Sequence, residues 1–399
     1  MTYPPELPDR RLPHAVRRFL RTEAAGGTVL LVAAVAALVW ANSPWQDSYA
    51  TVWHTEFTVR VGRWSLSEDL GHWVNDALMA LFFFVVALEI KRELVEGELR
   101  DPRAAALPAI AALGGMVVPA LIYVSFNAGE PGSEGWGIPM ATDIAFAVGV
   151  LALVGRRVAT SLKLFLLTLA IVDDIGAIVV IAVFYSRGLD VVAGGIAMLL
   201  LLTVAALLRA RVTWLPLYVA LAAGVWVATY ASGIHATIAG VALGLLTPAR
   251  RPARASVSPA EAFERRLHPW TSLGVIPLFA LANAGVTVRA DAFDTPGAVG
   301  VFAGIVGGLV VGKALGIAAA TWLAVRVGIG RLPEGATWPS IIGVAVVAGI
   351  GFTVSLFIAG LAFAAESGIE DAAKLAILTA SVAAAGVGTA MLLRTSSSS

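Results

Sequence analysis

The sequence predicts an all-α polytopic membrane protein of twelve transmembrane helices, and three observations predict it. Of 399 residues, 58% are hydrophobic and only 14% charged, a balance outside the usual range of soluble domains. Apolar stretches of about 18–25 residues, each long enough to cross a bilayer as a helix, recur along the whole chain. A β-barrel would show short alternating segments instead. The basic residues between the stretches sort by side, as cytoplasmic loops require. A net charge of +1 gives no footprint for a nucleic-acid partner. Without cysteine, disulfides and thiolate metal sites are excluded and the redox compartment is not encoded.

Taken in order, residues 1–25 form a polar cytoplasmic leader with Arg10, Arg11, Arg17, Arg18 and Arg21. So long a basic leader favours a retained first span over a cleaved signal peptide. A single transmembrane domain follows over 26–394, with spans expected near 26–43, 69–90, 104–125, 134–154, 161–186, 191–209, 213–230, 233–247, 260–285, 297–324, 338–363 and 372–393. The leader, the connections after the even-numbered spans and the C-terminal end hold 22 of the 28 Lys and Arg residues. The opposite set holds only Arg60, Arg63, Arg187, Arg289 and Lys374, and Lys313 falls inside a span. Both termini are therefore expected in the cytoplasm, which agrees with an even number of spans. Before span two, Phe57 to Leu66 alternates with period two around Gly62-Arg63. It reads either as a small extracytoplasmic β-hairpin over about 56–66 or as a loop on the lipid headgroups. A hairpin edge can pair with a second protomer. Residues 395–399 are a polar tail.

Two spans are interrupted. Span four contains Gly137-Ile138-Pro139-Met140-Ala141-Thr142-Asp143, in which Pro139 withdraws a backbone donor and Thr142 and Asp143 offer side chains to a freed backbone. Span eleven contains Gly349-Ile350-Gly351-Phe352-Thr353, whose glycines supply the backbone freedom an unwound stretch needs. Broken helices at membrane depth are tolerated where they are buried or line a cavity. They stand at the centres of the trios three-four-five and ten-eleven-twelve, which start seven spans apart. An odd offset inverts one trio relative to the other, and an inverted repeat with a broken central helix in each half points to a transport site between the halves.

The charges deep inside spans are Asp143, Asp173, Asp174 and Lys313, with Glu89 toward the cytoplasmic end of span two and His235 near the start of span eight. A carboxylate at mid-membrane costs on the order of 3 kcal/mol on insertion scales, so an adjacent pair calls for a function. Two close carboxylates suit a small hard cation. They also suit protons, because burial and mutual repulsion both penalise the doubly charged pair. A site that holds a cation or protons, but not both, couples the two flows by competition. Lys313 lies beside a stripe of glycines at 304, 308, 312 and 316 suited to close helix packing. There it can approach a carboxylate or the ends of the broken helices. Facing helix termini leave partial charges of both signs, which Asp143 and Lys313 can balance.

Six motifs in order then resemble the NhaA-type bacterial sodium/proton antiporters, a family that is itself a standing example of inverted-repeat transporters. They are Phe83-Phe84-Val85-Val86-Ala87-Leu88-Glu89-Ile90-Lys91-Arg92-Glu93, Ala141-Thr142-Asp143-Ile144-Ala145-Phe146, Ile171-Val172-Asp173-Asp174-Ile175, Ser232-Gly233-Ile234-His235-Ala236-Thr237, Pro277-Leu278-Phe279-Ala280-Leu281-Ala282-Asn283-Ala284-Gly285 and Gly349-Ile350-Gly351-Phe352-Thr353. The resemblance implies electrogenic export of Na⁺ or Li⁺ against entering protons across the bacterial inner membrane, with no resident cofactor. It implies that Asp173 and Asp174 bind the ion and exchange protons, and that Lys313 pairs with Asp173 when sodium is absent. Thr142 and Asp143 would support crossed broken helices, together with Gly349 and Gly351. It further implies pH sensing at Glu89, Glu264 and Arg92, a regulatory role for His235, and homodimers joined through the hairpin. Arg265 follows Glu264 where the best-known pattern has histidine, so the sensor role does not extend to it. Two rivals fit less well. A symporter of organic anions would need more basic residues than Lys313, and an intramembrane aspartyl protease would show a Gly-x-Gly-Asp signature, which is missing.

Overall fold

The computed structural model describes residues 14–62, 64–155, 158–186, 188–251, 257–288, 293–364 and 366–395. The expectations placed on residues 1–13, on the side chains of Arg17, Arg18 and Arg21, on Arg63, Arg156, Arg157, Arg187, Arg254 and Arg289, and on 396–399 lie outside the described residues.

Helix α1 (His14–Ala41) turns by 117° into the short α2 (Gln46–Trp53). Strands β1 (Glu56–Val61) and β2 (Trp64–Asp69) then pair antiparallel, with Val61 opposite Trp64 and Glu56 opposite Asp69. Gly62, just past the end of β1, takes φ 63°, the left-handed conformation that tight hairpin turns need. The alternation reading is right, but the hairpin runs to Asp69 rather than Leu66. The Thr58 and Ser67 hydroxyls bond across it at 2.7 Å, and Asp69 ends it by accepting from the His72 amide at 2.7 Å as an N-cap.

Apolar periodic sequence then becomes helix in every expected range: α3 (Leu70–Val95), α4 (Pro102–Asn127), a 3₁₀ segment Ser133–Met140 leading to α5 (Ile144–Val154), α6 (Thr160–Phe184), α7 (Val191–Arg209), α8 (Leu215–Ala231) and α9 (Thr237–Leu246). After them come α10 (Pro259–Trp270), continued through a π turn into α11 (Ile276–Asn283), α12 (Ala298–Arg326), α13 (Trp338–Val347), α14 (Phe352–Ala362) and α15 (Ser367–Thr395). Among the described residues, seven helices are long and apolar enough to cross a membrane, and the bent pairs α1–α2 and α13–α14 raise this to nine. Helices α8 and α9 are apolar but shorter, and α10 opens with charged residues. The most apolar window of α7 has mean hydropathy 2.6, yet only 11% of it is buried. Apolar surface on that scale is stable facing lipid rather than water. The protein is a helical membrane protein with a small two-stranded sheet.

The glycine stripe of α12 does what its spacing promises. Gly316 and Gly114 of α4 meet so closely that a Cβ on either would run into the other's carbonyl oxygen. A Cβ on Gly312 would come within 2.9 Å of Pro119 Cα, and one on Gly308 within 2.7 Å of Pro139 in the 3₁₀ segment. Backbone-to-backbone contact of this kind replaces the hydrophobic driving force that is missing within lipid. It also presses α12, and Lys313 with it, against the two interrupted segments.

Candidate ion-exchange site

Both interruptions lie at the centre of the fold. In the first, Ala141 to Asp143 is non-helical between the 3₁₀ segment and α5. Eight residues of 3₁₀ helix is a long run for that conformation. Pro139 lacks the donor an α-helix would use, and the Tyr123 and Tyr185 hydroxyls hold the segment by donating to the Gly132 and Glu134 carbonyls at 2.6 and 2.8 Å. In the second, α13 and α14 meet at 46° across 348–351. Neither Gly349 nor Gly351 takes positive φ, which corrects the expectation that they serve backbone freedom. They serve close approach instead: a Cβ on Gly349 would strike the Leu309 carbonyl of α12, and one on Gly351 the Ser355 hydroxyl.

The interrupted segments bond to each other. The Asp143 amide donates to the Ile350 carbonyl at 2.7 Å, and the Ser355 hydroxyl donates to the Ile138 carbonyl at 2.8 Å. The Asp143 carboxylate accepts from the Phe146 amide at 3.0 Å, the first turn of α5. It also accepts from the Thr353 amide at 3.0 Å and hydroxyl at 2.6 Å, the first turn of α14. One negative charge thus serves two helix N-termini, the arrangement the macrodipole favours. Asp143→Ala is expected to leave those donors unmet in a buried site, at about 1–3 kcal/mol for each group. The readout is a lowered thermal midpoint in detergent, with Asp143→Asn retaining part of the loss because asparagine also caps.

Lys313 and Asp173 form an ion pair with both side chains fully buried. The Lys313 ammonium also donates to Thr142 Oγ1 at 2.9 Å. The Thr142 hydroxyl lies 2.6 Å from Asp173 Oδ2 and 2.9 Å from the Ala348 carbonyl. It has a single proton, so it serves one of these acceptors at a time. Lys313 therefore answers the carboxylate directly, and reaches the C-terminal end of α13 only through Thr142. Asp173 Oδ1 is buried without a hydrogen-bond partner among the described residues, an open coordination position on a carboxylate oxygen.

Asp174, one residue further along α6, turns away from this pair. Its side chain lines a cavity together with Glu89, Thr142, Asp143, Thr353 and His268. Asp174 makes no hydrogen bond among the described residues. The adjacent carboxylates thus occupy different environments, as a 100° rotation per residue requires. Carboxylates, hydroxyls and no thiolate make a donor set for a hard cation with weak geometric demands.

Of the other expected residues, Glu89 lies on the cavity wall, which also holds His268. Arg92 donates to Glu264 Oε1 at 2.7 Å and contacts Glu93 at 3.3 Å, while Glu264 Oε2 is buried without a hydrogen-bond partner among the described residues. Sequence reasoning missed Glu93 and His268, although both stand within four residues of a named one. His235 is elsewhere: its Nδ1 lies 2.9 Å from the Thr237 hydroxyl, its Nε2 3.6 Å from Asp76, and its ring edge-on to Phe357. Asp76 was also missed. Arg265 pairs with Glu261 on an exposed face.

Ionisable groups buried beside a cavity at the centre of a helical membrane protein, between two interrupted helices, are the mark of a secondary transporter. A family model described as Na⁺/H⁺ antiporter 1 matches residues 17–392. The chain is 47% identical to a Na⁺/H⁺ antiporter NhaA of Rhodopirellula baltica, over 95% of this chain and 93% of that protein. It is 49% identical to one of Acidovorax sp., over 94% and 90%, and 44% identical to NhaA 2 of Sorangium cellulosum, over 96% and 92%. The chain belongs to the NhaA family of Na⁺/H⁺ antiporters, and it is a transporter rather than an enzyme.

Proposed function

We propose that this antiporter exports Na⁺ or Li⁺ across the bacterial inner membrane in electrogenic exchange for protons, with Asp173 and Asp174 as the shared site. The observation that carries the reading is the division within the pair: Asp174 faces the cavity, whereas Asp173 is held by Lys313 and keeps one oxygen free. A cation arriving through the cavity meets Asp174 first, then competes with Lys313 for Asp173. Its arrival displaces protons, and protonation displaces it. The proposed topology has twelve spans, both termini in the cytoplasm and crossed broken helices at the centre of an inverted repeat. The mutual hydrogen bonds of the two interrupted segments support the crossing. Glu89 and His268 line the cavity, and the Arg92–Glu264 pair joins the same two helices, α3 and α10, beside the connections that the basic residues assign to the cytoplasm. These groups are the proposed pH-sensing cluster. His235 lies apart from it, so its proposed regulatory role acts on another part of the path. Dimerisation through the hairpin edge is proposed on the resemblance, and lipids cover the apolar faces.

The test is Na⁺-dependent alkalinisation of acid-loaded proteoliposomes. If one net charge moves per cycle, each 100 mV contributes about 2.3 kcal/mol, so dissipating the potential with a potassium ionophore must change the rate. Exchange that ignores the potential removes electrogenicity, and absence of Na⁺-dependent flux removes the reading as a whole.

A further inference from the structure

A second group of titratable side chains lies away from the exchange site, where the hairpin joins α3. Asp69 ends β2, caps α3 and receives two imidazoles, one on each carboxylate oxygen. His72 Nδ1 lies 2.7 Å from Oδ1 and His54 Nδ1 lies 3.3 Å from Oδ2. Both imidazoles are open to solvent, at 64% and 78%, while the carboxylate between them is 19% exposed. Burial pushes the Asp69 carboxyl up, but the His72 amide and imidazole and the His54 imidazole outweigh it and hold the carboxyl below its usual range. Other acids surround this joint. Glu56 stands opposite Asp69 across the hairpin, and Glu68 accepts a hydrogen bond from the Tyr230 hydroxyl. Asp76 stands four residues beyond His72 on α3, about one helical turn further in. The hairpin's described cation, Arg60, stands opposite Ser65 instead.

The group continues inward. Asp76 Oδ1 lies 3.6 Å from His235 Nε2, and these side chains are only 17% and 13% exposed. The far side of the His235 ring meets Phe357 of α14 at 5.1 Å between centroids. Imidazole and carboxylate alternate from the exposed His54 and His72, through Asp69 and Asp76, to a shielded histidine packed against a broken helix.

Such a series has a use in this reaction. At pH 8, a proton concentration of ~10⁻⁸ M and a diffusional limit of about 10¹⁰ M⁻¹ s⁻¹ give a single group on the order of 100 captures per second. A recessed group captures less often, so proton supply limits an exchanger working in an alkaline medium. Exposed imidazoles in an acidic surround enlarge the target and pass protons on. We propose that His54, Asp69, His72, Asp76 and His235 form the extracytoplasmic proton-collecting relay of this antiporter. The assignment rests on the topology proposed above, which puts the hairpin outside.

The test compares the unsubstituted protein with His54→Gln/His72→Gln in proteoliposomes at alkaline pH, in dilute and in concentrated mobile buffer. In dilute buffer the variant is expected to exchange about tenfold more slowly, the lower end of what charge focusing adds to capture rates. Concentrated buffer restores the rate, and the KM for Na⁺ is unchanged. Asp69→Asn, which keeps the cap on α3, is expected to show the same buffer-rescued loss. Equal rates in dilute buffer overturn the relay. So does a loss that buffer does not rescue, because that is the mark of a structural role. His54→Cys labelled with a membrane-impermeant maleimide reads the topology separately, since the chain has no other cysteine. Labelling only from the cytoplasmic side overturns the topology, whatever the buffer experiment gives.

Discussion

Asp174→Asn is expected to abolish Na⁺-dependent proton flux while leaving the fold intact. The side chain lines the cavity and makes no hydrogen bond among the described residues, so the amide replaces it without leaving a buried partner unmet. The amide supplies neither a charge for the cation nor a site for the competing proton, and both halves of the exchange fail together. A fall of at least about 100-fold corresponds to roughly 2.7 kcal/mol in the barrier. The measurement is initial alkalinisation rate against Na⁺ concentration, with thermal stability in detergent as the control. An unchanged midpoint with background flux is the expected pattern. A variant that still exchanges at a raised KM would assign Asp174 to binding alone and move the proton to another group. Asp174→Glu keeps the charge on a longer arm, so it is expected to retain part of the flux.

The contrast between the two aspartates was only partly legible in the sequence. Adjacent positions on a helix must face different ways, but which one met Lys313 was implied by resemblance, because spacing along separate helices does not encode their rotation. Lys313 itself was legible as a buried cation among buried acids, and its glycine stripe as a close-packed face. The π turns at Val74–Leu78, Thr271–Val275 and Gly307–Gly312 were not. A one-residue bulge shifts hydrophobic periodicity by less than the scatter of an almost wholly apolar helix, whose moment carries little signal. The 3₁₀ run at Ser133–Met140 was hidden for a different reason. Pro139 announces an interruption, whereas the local form is set by the Tyr123 and Tyr185 hydroxyls from distant helices. Gly349 and Gly351 show the same limit. A glycine pair in a broken span signals special backbone, but whether it serves conformation or close contact depends on what crosses it, here the Leu309 carbonyl.

Lys313→Met should be the most destabilising of these substitutions, and a second change should reverse most of the damage. The ammonium is fully buried against Asp173 and Thr142, so its removal leaves an uncompensated carboxylate away from water. Breaking one side of a buried pair costs about 3–5 kcal/mol. Replacing both charges removes that penalty, because the desolvation of two ions roughly cancels their attraction. Asp173→Asn/Lys313→Met is therefore expected to recover most of the thermal midpoint lost in Lys313→Met. The coupling between the two positions appears as a large departure from additivity. Additive losses would mean that the pair contributes little and that packing around the glycine stripe dominates. Added Na⁺ supplies a second readout. With Lys313 gone, the free Asp173 carboxylate has the cation as its remaining partner of opposite charge, so Na⁺ should stabilise Lys313→Met more than the unsubstituted protein. The double variant, which has lost the carboxylate as well, should show the smallest Na⁺ effect of the three. That order, with the unsubstituted protein in the middle, is what competition between Lys313 and Na⁺ for Asp173 requires. A purely structural ion pair would leave all three with the same Na⁺ effect, the part that the intact Asp174 supplies.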